Sequence, residues 1–367
     1  MPARAAELAL FKSRKRGLRI HDDAALNAET EIADLGARLT PVESFFVRNN
    51  GTLPEIGDPA AWSLSVEGEV EHPRRWSLQD LREEFETVSV TSVLECAGNG
   101  RSAFRPRTDG LQWGLGAVGC ARWTGVRMAD VLVAAGVKPS AVYTGQHSPD
   151  RLVKDPSREA LSRGLPIVKA LAPETLLAFE MNGEPLPLLH GGPLRVVAPG
   201  FPGSAWQKWL ERLVLTPVEH DGEKMRGTDY RMPDRELAPG EEIDPARFKV
   251  IEAMPVKSLI TAPLDGFALP RGDQVRISGF AWNGSGQVAE VQVSADGGAT
   301  WQEAALEAGD GPFAWRAFSA MLTVQPGEVT VMARAIAGDG SLQPLETGWN
   351  PRGYCNNAVQ RVRGVAG

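Results

Sequence analysis

The chain has 367 residues, of which 43% are hydrophobic and 23% charged, so it has enough apolar side chains for two domain cores and is not a disordered protein. Its net charge of −7 argues against broad nucleic-acid binding, which needs a basic face. The three cysteines lack CxxC spacing and the five histidines are scattered, which argues against a disulfide framework and against a zinc site built by the chain alone.

The first 45 residues are interpreted as a polar lead-in without the features of a targeting segment. They contain no secretory h-region, and no run of about 18 apolar residues occurs in the chain, so we expect no membrane partner. We expect a cytoplasmic protein, or a periplasmic one if an export signal has been removed. A basic cluster is interpreted as a solvated helix or arm, and it comprises Lys12, Arg14, Lys15, Arg16 and Arg19.

Short strands and short helices alternate between residues 60 and 200. Ser77 followed by Asp80 is typical of a capping box at a helix start, and Gly136 is typical of a helix end. Asn182–Gly183 predicts a tight turn. In chain order the pattern predicts a strand over 60–70, a helix over 77–86, a strand within 88–100, a helix over 128–137 and a buried strand over 194–200.

Residues from about 250 onward predict a second, all-β domain. Apolar and polar residues alternate in short runs, and turn signals recur at 296–298 and 338–340. This spacing is typical of an immunoglobulin-like sandwich of about 110 residues, here without a Cys…Trp…Cys pattern. The chain is therefore predicted to be an α+β protein, with a mixed α/β domain over residues 1–245 followed by an all-β immunoglobulin-like domain over residues 246–367.

The segment LECAGNGR, residues 94–101, is the most informative for chemistry. Cys96 leaves a strand and enters a turn of small residues, so a ligand or another backbone segment can approach it closely. Arg101 lies five residues further on and would favour a thiolate. A buried structural cysteine is the alternative, and no histidine is obviously paired with Cys96 for a Cys–His nucleophile.

Several cationic side chains occur in apolar or glycine-rich settings. Arg48 follows Phe46 and Val47, and Lys208 lies between two tryptophans. Singly, such residues are more often solvated or ion-paired. Together they suggest a cationic pocket for an oxyanion, because planar guanidinium groups bind oxyanions through two parallel hydrogen bonds.

These segments, in this order, resemble the sulfite oxidase family of molybdopterin enzymes over residues 40–365. The resemblance rests on FFVRNN (45–50), LECAGNGRS (94–102), the block GLQWGLGAVGCARWTGVRMADVL (110–132), the block EMNGEPLPLLHGGPLRVVAPGFPGSAWQKWL (180–210), DGGATW (296–301) and WNPRG (349–353). The chain departs from the family pattern at Asn50, where the family has His, and at Gly100, where it has Arg.

The resemblance implies a role for each matching residue. Cys96 would be the single thiolate ligand of molybdenum. Arg48, Arg101 and Arg352 would surround sulfite, with Trp113 as a pocket wall. Tyr230 would hydrogen-bond near the substrate. The molybdopterin would be held by Phe46, Val47, Arg48, Asn49, Asn50, Cys96, His190, Arg195, Trp206, Gln207 and Lys208.

The resemblance also implies an activity, a cofactor and partners. We expect molybdenum-dependent oxidation of sulfite to sulfate by oxygen-atom transfer, as in a bacterial sulfite oxidase or sulfite dehydrogenase catalytic subunit without a haem domain. Electrons would pass to an external acceptor such as cytochrome c or oxygen, with neither haem nor flavin in the chain. The C-terminal domain would form a homodimer.

Two alternative interpretations remain. The first is a related molybdopterin oxo-transferase, such as sulfane dehydrogenase or another enzyme of oxyanion or sulfoxide redox chemistry. The second is a non-enzymatic β-sandwich interaction protein with a degenerate cofactor domain. The joint presence of Cys96, Arg48, Tyr230 and Arg352 argues against the second.

Overall fold

A computed structural model of the chain describes residues 9, 11–36, 38–269 and 274–367. These residues form many short strands and few helices, arranged in mixed sheets followed by an all-β region, which confirms the predicted α+β class. No helix in the described ranges is long and apolar enough to cross a membrane.

The first region contains sixteen strands among its described residues. They are β1 (Leu18–Asp22), β2 (Asn27–Thr30), β3 (Ser63–Gly68), β4 (Arg74–Ser77), β5 (Thr87–Glu95), β6 (Val118–Arg127), β7 (Tyr143–His147), β8 (Arg151–Leu152), β9 (Asp155–Glu159), β10 (Gly164–Pro166), β11 (Leu176–Met181), β12 (Glu184–Pro185), β13 (Arg195–Val197), β14 (Arg212–Thr216), β15 (Arg231–Pro233) and β16 (Phe248–Val250). One sheet has the order β10-β7-β14-β3-β4. Another has the order β12-β11-β6-β5, with β13 also paired to β11.

Three short helices connect these strands, namely α1 (Leu78–Glu84), α2 (Met128–Ala134) and α3 (Ile167–Ala170). The Ser77 hydroxyl accepts from the Asp80 amide at 3.0 Å, and the Asp80 carboxylate accepts from the Ser77 amide at 2.8 Å, so the predicted capping box is confirmed. Helix α2 buries Met128, Val131 and Leu132 against the core. Both predicted helices are therefore present, each a few residues shorter than expected.

The second region is the predicted β-sandwich. Its strands are β17 (Lys257–Ala262), β18 (Phe267–Leu269), β19 (Gln274–Trp282), β20 (Val288–Ser294), β21 (Gln302–Glu303), β22 (Ala305–Leu306), β23 (Arg316–Thr323), β24 (Gly327–Ala337) and β25 (Arg361–Ala366). Two sheets, β17-β19-β23-β22 and β18-β25-β24-β20-β21, bury a shared core of mostly valine, alanine and isoleucine side chains. Alternate residues of β24 are buried, as expected for a strand with one face on a core.

The predicted polar lead-in is wrong for the described part of residues 1–45. Strands β1 and β2 form a hairpin, and Phe11, Leu26 and Ala28 join a buried apolar cluster. Lys15 is buried, while the other four members of the basic cluster are exposed, so the solvated-arm interpretation fails for that residue. Sparse apolar residues formed a core here because residues far along the chain pack against them. Residues 1–8, 10 and 37 lie outside the described part.

The predicted boundary near residue 245 stays a prediction. It falls between β15 and β16, which pair with each other, so the chain crosses between the regions within a small two-stranded sheet. A buried ion pair also joins the regions: Nζ of Lys257, at the start of β17, lies 3.0 Å from Oε1 of Glu95, at the end of β5.

Candidate active site

Two adjoining cavities share the side chains of Arg48, Cys96 and Tyr230. The inner cavity encloses an empty volume of about 660 Å³, and its further walls include Phe46, His190, Arg195, Trp206, Gln207 and Lys208. The outer pocket has about 530 Å³, and its further walls include Arg101, Trp113, Lys224, Asp229, Arg352 and Tyr354. Cys96 therefore lies where a group bound in one cavity would meet a group bound in the other.

The turn after β5 holds Cys96 in a fixed position. The Cys96 amide donates to the Ala117 carbonyl at 3.0 Å, and the Asn99 amide donates to the Cys96 carbonyl at 2.8 Å. Gly100 follows with φ of 87°, a left-handed conformation that favours glycine. Cys96 is 7% exposed, and of the described cysteines it is the one that lines the cavities.

Arg101 lies in a cradle of glycines that leaves no room for side chains. A Cβ atom at Gly98 would come within 2.5 Å of Nη2 of Arg101, and one at Gly353 within 2.8 Å of its Cγ. Nε of Arg101 donates to the Arg352 carbonyl at 2.8 Å, and Nη1 donates to the Leu111 carbonyl at 2.8 Å. The close backbone approach fixes the guanidinium at the pocket wall.

Asn50 lines the inner cavity and joins three side chains that line the outer pocket. Its Oδ1 accepts hydrogen bonds from Nη2 of Arg48 at 2.8 Å, from Nζ of Lys224 at 3.1 Å and from the Tyr230 hydroxyl at 3.3 Å. Nη2 of Arg352 lies 3.1 Å from Oδ1 of Asp229. With the Arg101 guanidinium, four cationic side chains and two carboxylates, those of Asp109 and Asp229, line this pocket.

Tyr230 is held by contacts of its ring with a second tyrosine ring and with a guanidinium group. Its ring stacks on that of Tyr354 with centroids 5.4 Å apart and planes 16° from parallel. The guanidinium carbon of Arg163 lies 5.2 Å from the Tyr230 ring, and that of Arg101 lies 5.2 Å from the Tyr354 ring. Tyr230 also has a φ of 51°, uncommon for a bulky residue, so both backbone and ring orient its hydroxyl toward Asn50.

The inner cavity is rich in buried positive charge. Burial lowers the pKa of Arg195 to about 9, and burial together with Arg195 lowers the pKa of Lys208 well below its usual value. Asp150 is the one carboxylate on this wall among the described residues, and burial raises its pKa. Excess cations in a site sheltered from water favour an anionic ligand, because such a ligand would compensate their charge.

The sequence-predicted site residues converge closely. All of them line one of the two cavities except Val47 and Asn49. Val47 packs in an apolar cluster and bridges to Ala28. Asn49 lies behind the inner wall, where its Oδ1 accepts from Nζ of Lys208 and its Nδ2 donates to the Ala25 carbonyl.

Sequence reasoning missed several side chains in or behind these walls, and three of them carry polar groups that matter to the site. Lys224 and Tyr354 line the outer pocket, and Lys15 lies behind the inner cavity in contact with His190. No local pattern sets these lysines apart from solvated ones. Tyr354 has a weak signal, since it comes two residues after Arg352 and is one of three tyrosines in the chain.

The side chains at this site fit a metal whose ligands come mostly from a bound organic group rather than from the protein. Within the described residues, no group of three or more His, Cys, Asp or Glu side chains is arranged for a metal ion. One thiol stands at the junction of the cavities, and the hydroxyl of Ser204 is buried in the inner wall without a protein partner. An anionic organic group that carries a thiophilic metal satisfies these features together.

Comparison with known proteins places these features in a family context. Residues 50–224 match the family model described as the oxidoreductase molybdopterin binding domain, and residues 248–365 match the Mo-co oxidoreductase dimerisation domain. The chain is 36% identical over 366 residues to sulfite oxidase of Gallus gallus, with coverage of 95% of this chain and 78% of that protein.

Two further similarities extend the comparison. The chain is 36% identical over 373 residues to mitochondrial sulfite oxidase of Mus musculus, covering 95% of this chain and 66% of that protein. The fold is similar to the crystal structure of the sulfane dehydrogenase SoxCD from Paracoccus pantotrophus, with a TM-score of 0.80, 26% identity, and coverage of 96% of this chain and 88% of that one.

Proposed function

The chain belongs to the sulfite oxidase family of molybdopterin oxidoreductases, and on this premise we propose that it oxidises sulfite to sulfate. The observation that carries the proposal is the junction of a cation-rich inner cavity and an arginine-lined outer pocket at the single thiol of Cys96. The balanced reaction takes one oxygen atom from water and releases two electrons and two protons. An external acceptor, such as cytochrome c or oxygen, would take up the electrons.

The inner cavity would hold the molybdopterin. Lys208 and Arg195 supply positive charge toward an anionic group, and the aromatic face of Trp206 supplies a flat wall. Each nitrogen of the Arg195 guanidinium already donates to a main-chain carbonyl, those of Val196, His190 and Trp206, so this arginine shapes the wall as well as charging it. Bound through Cys96, the cofactor would supply the oxygen-atom transfer and the two-electron chemistry.

The outer pocket would bind the sulfite dianion. Arg48, Arg101 and Arg352 converge on it, and Trp113, which is fully buried, closes one side. Fixed guanidinium groups in a site partly sheltered from water stabilise a bound dianion more strongly than they would in bulk solvent. Tyr230, whose hydroxyl donates to Asn50, would contact the substrate at the boundary with the inner cavity.

Sulfane dehydrogenation is the second candidate, and the similarity to SoxCD favours it. A sulfane substrate would be a persulfide carried on a larger thiol compound, whereas sulfite is a small free dianion. Steady-state assays with sulfite and with a persulfide, each with ferricyanide as acceptor, separate the two candidates. Sulfite turnover without persulfide turnover supports the first.

The principal test measures molybdenum and turnover together. We expect one molybdenum per chain, and sulfite-dependent reduction of ferricyanide, cytochrome c or oxygen. Cys96→Ser should keep the fold but lose nearly all turnover, because a hydroxyl is a poor substitute for a soft thiolate ligand. Cys355→Ser is the matched control and should retain activity. Full turnover in folded Cys96→Ser would rule out the proposed metal ligation.

We also propose that the second domain forms a homodimer, as the description of its family model indicates. Pairing would cover surface of a sandwich whose sheet edges are otherwise open to aggregation. Light scattering after size exclusion should give about twice the chain mass of 39.5 kDa. A monomer at micromolar concentration would contradict this proposal while leaving the catalytic one intact.

A further inference from the structure

The N-terminal segment, residues 11–30, forms the support behind one wall of the inner cavity. Its apolar residues Phe11, Leu26 and Ala28 pack in a buried cluster with Leu189 and Trp209. Leu189 and Trp209 themselves line the cavity. This segment lies outside the range that matches the molybdopterin-binding family model, yet it touches the cavity wall directly.

Lys15 is the polar centre of this segment. Its side chain is buried, and Nζ lies 2.5 Å from the Val42 carbonyl oxygen, 2.9 Å from the Phe45 carbonyl oxygen and 2.6 Å from Nε2 of His190. It forms no ion pair with any described carboxylate. An ammonium has three N–H groups, so these three acceptors satisfy all of them.

The contact between Lys15 and His190 determines which nitrogen of the His190 ring carries the hydrogen. An ammonium can only donate, so Nε2 of His190 must accept and the ring hydrogen must be on Nδ1. Burial and the nearby charges of Lys15 and Lys208 lower the pKa of His190 well below its usual value, so the ring is neutral. Burial lowers the pKa of Lys15 to about 7, so the ammonium form dominates below that pH.

Other contacts restrict the ring further. The ring of Phe45 meets that of His190 edge to face with centroids 5.4 Å apart, and the His190 carbonyl accepts from Nη1 of Arg195 at 2.6 Å. Gly191, which follows with φ of 101°, allows the Lys208 side chain to pass close by. The ring of His190 also has a hydrogen-bonding contact with the backbone of Val42, whose carbonyl accepts from Lys15. With Nε2 accepting from Lys15, Nδ1 is the ring nitrogen that carries the hydrogen, and His190 lines the inner cavity.

We infer that Lys15 is a positioning residue of the inner cavity, which holds His190 as an Nδ1–H donor toward an acceptor atom of the bound cofactor. The acceptor class is a carbonyl oxygen, a ring nitrogen or a phosphate oxygen, and molybdopterin offers all three. The inference rests on the proposed function for the identity of that cofactor. The assignment of the hydrogen on His190 does not depend on it.

The first measurement is nitrogen NMR of the histidine rings in full-length, cofactor-free protein at pH 6. His190→Gln assigns the His190 signals among the five histidines. The wild type should show His190 with a protonated Nδ1 and an unprotonated, hydrogen-bonded Nε2. Lys15→Met should lose this pattern and show both tautomers in exchange, whereas Lys12→Met, in the exposed part of the same basic cluster, should keep it.

The second measurement is the rate at which purified holoenzyme loses its pterin at pH 6, followed by pterin fluorescence and by molybdenum content. We expect Lys15→Met to lose cofactor at least 10-fold faster than the wild type and Lys12→Met. Lys15→Gln, which keeps a donor of similar length, should fall between them. This partial rescue separates positioning of His190 from a general effect on packing, and it replaces Lys15→Met if that variant does not fold.

The possible outcomes distinguish this inference from the proposed function. A wild-type His190 with its hydrogen on Nε2 overturns the inference, as does a Lys15→Met protein with unchanged tautomer and cofactor retention. A wild type that contains no molybdenum overturns the proposed function instead. In that case the tautomer measurement, made without cofactor, still decides the role of Lys15.

Discussion

At the scale of single residues, Asn50 explains how the outer pocket departs from its family pattern. Its amide oxygen has two lone pairs and accepts from Arg48, Lys224 and Tyr230, whereas a neutral imidazole nitrogen would offer one lone pair. Asn50 therefore holds at the pocket wall a lysine, Lys224, that the family motif does not predict. Motif comparison identified the arginines but not this lysine, because its place depends on one neighbouring oxygen.

Arg352 provides the sharpest residue-scale prediction. It comes from the second domain and faces Arg48 across the outer pocket, with Nη2 3.1 Å from Oδ1 of Asp229. The Arg352 side chain is 39% exposed, so solvent screening reduces the cost of about 2–5 kcal/mol for removing one partner of a buried charge pair to about 1–2 kcal/mol. Arg352→Met should therefore raise the KM for sulfite by about 5- to 30-fold, with normal molybdenum content.

Two further variants test whether the increase in KM is specific to a guanidinium group at this position. Arg352→Lys should recover little, because an ammonium cannot form the two parallel hydrogen bonds of a guanidinium. Arg361→Met is the matched control, since its side chain is exposed to a similar degree, 38% against 39%, in the same domain but away from the pocket. An unchanged KM in metal-replete Arg352→Met would place the oxyanion pocket wholly in the first domain.

At the scale of elements, short sequence patterns correctly predicted the features that depend on interactions between neighbouring residues. The capping box of α1, the end of α2 near Gly136 and the turn at Asn182–Gly183 each depend on residues a few positions apart. The hairpin β1–β2 was not predicted, because its apolar side chains are few and are buried by residues outside the segment, some of them more than a hundred positions away. The packing of this hairpin behind the inner cavity depends on tertiary contacts, which the spacing of apolar residues along the sequence does not reveal.

His220, in the loop after β14, packs against His147 at the end of β7, and the titration of His220 predicts acid sensitivity. His147 contacts Glu159 at 3.0 Å, and Nε2 of His220 lies 2.8 Å from the Ser162 hydroxyl, with the two rings 5.5 Å apart. Burial, with His147 nearby, lowers the pKa of His220 to about 4 from 6.5. The unfolded chain therefore binds more protons between pH 6.5 and 4, so stability falls as the pH drops through this window.

Substitution of His220 should remove that part of the pH dependence. Between pH 7 and pH 5, the free energy of unfolding of His220→Asn should fall by about 1–2 kcal/mol less than that of the wild type, a figure discounted for partial solvent access. Urea unfolding at several pH values measures the slope rather than the absolute stability. The exposed His72→Asn is the control and should keep the wild-type slope, and equal slopes for all three proteins would exclude a role for His220.

At the scale of the whole molecule, the second domain takes part in building the cysteine turn. The Cys355 amide donates to the Ala97 carbonyl at 2.8 Å, and Nδ2 of Asn356 donates to the Gly100 carbonyl at 2.8 Å. Family resemblance predicted Cys96 and Arg352 individually. Their meeting at one site depends on how the two regions pack, which the order of motifs along the chain does not specify.

The buried pair of Glu95 and Lys257 is the strongest polar link between the regions. Both side chains are 3% exposed, and the Glu95 carboxylate also accepts from Nε1 of Trp282 at 2.7 Å and from Nδ2 of Asn99 at 2.9 Å. Glu95 directly precedes Cys96, and Asn99 lies in the same turn. These contacts therefore fix the turn that contains Cys96, the residue proposed to hold the metal, against the sandwich.

Breaking this pair on one side should be costly. Lys257→Met leaves the Glu95 carboxylate buried and unpaired, which should lower the free energy of unfolding by about 3–5 kcal/mol in urea titrations. The double variant Glu95→Gln with Lys257→Met removes both charges and should recover more than half of that loss, because no buried charge remains. Lys249→Met, at an exposed position of β16, is the control and should change stability little. Equal losses in the single and double variants would mean that the pair does not couple the two regions, and that other contacts, such as the hydrogen bonds of Cys355 and Asn356, hold the cysteine turn against the sandwich.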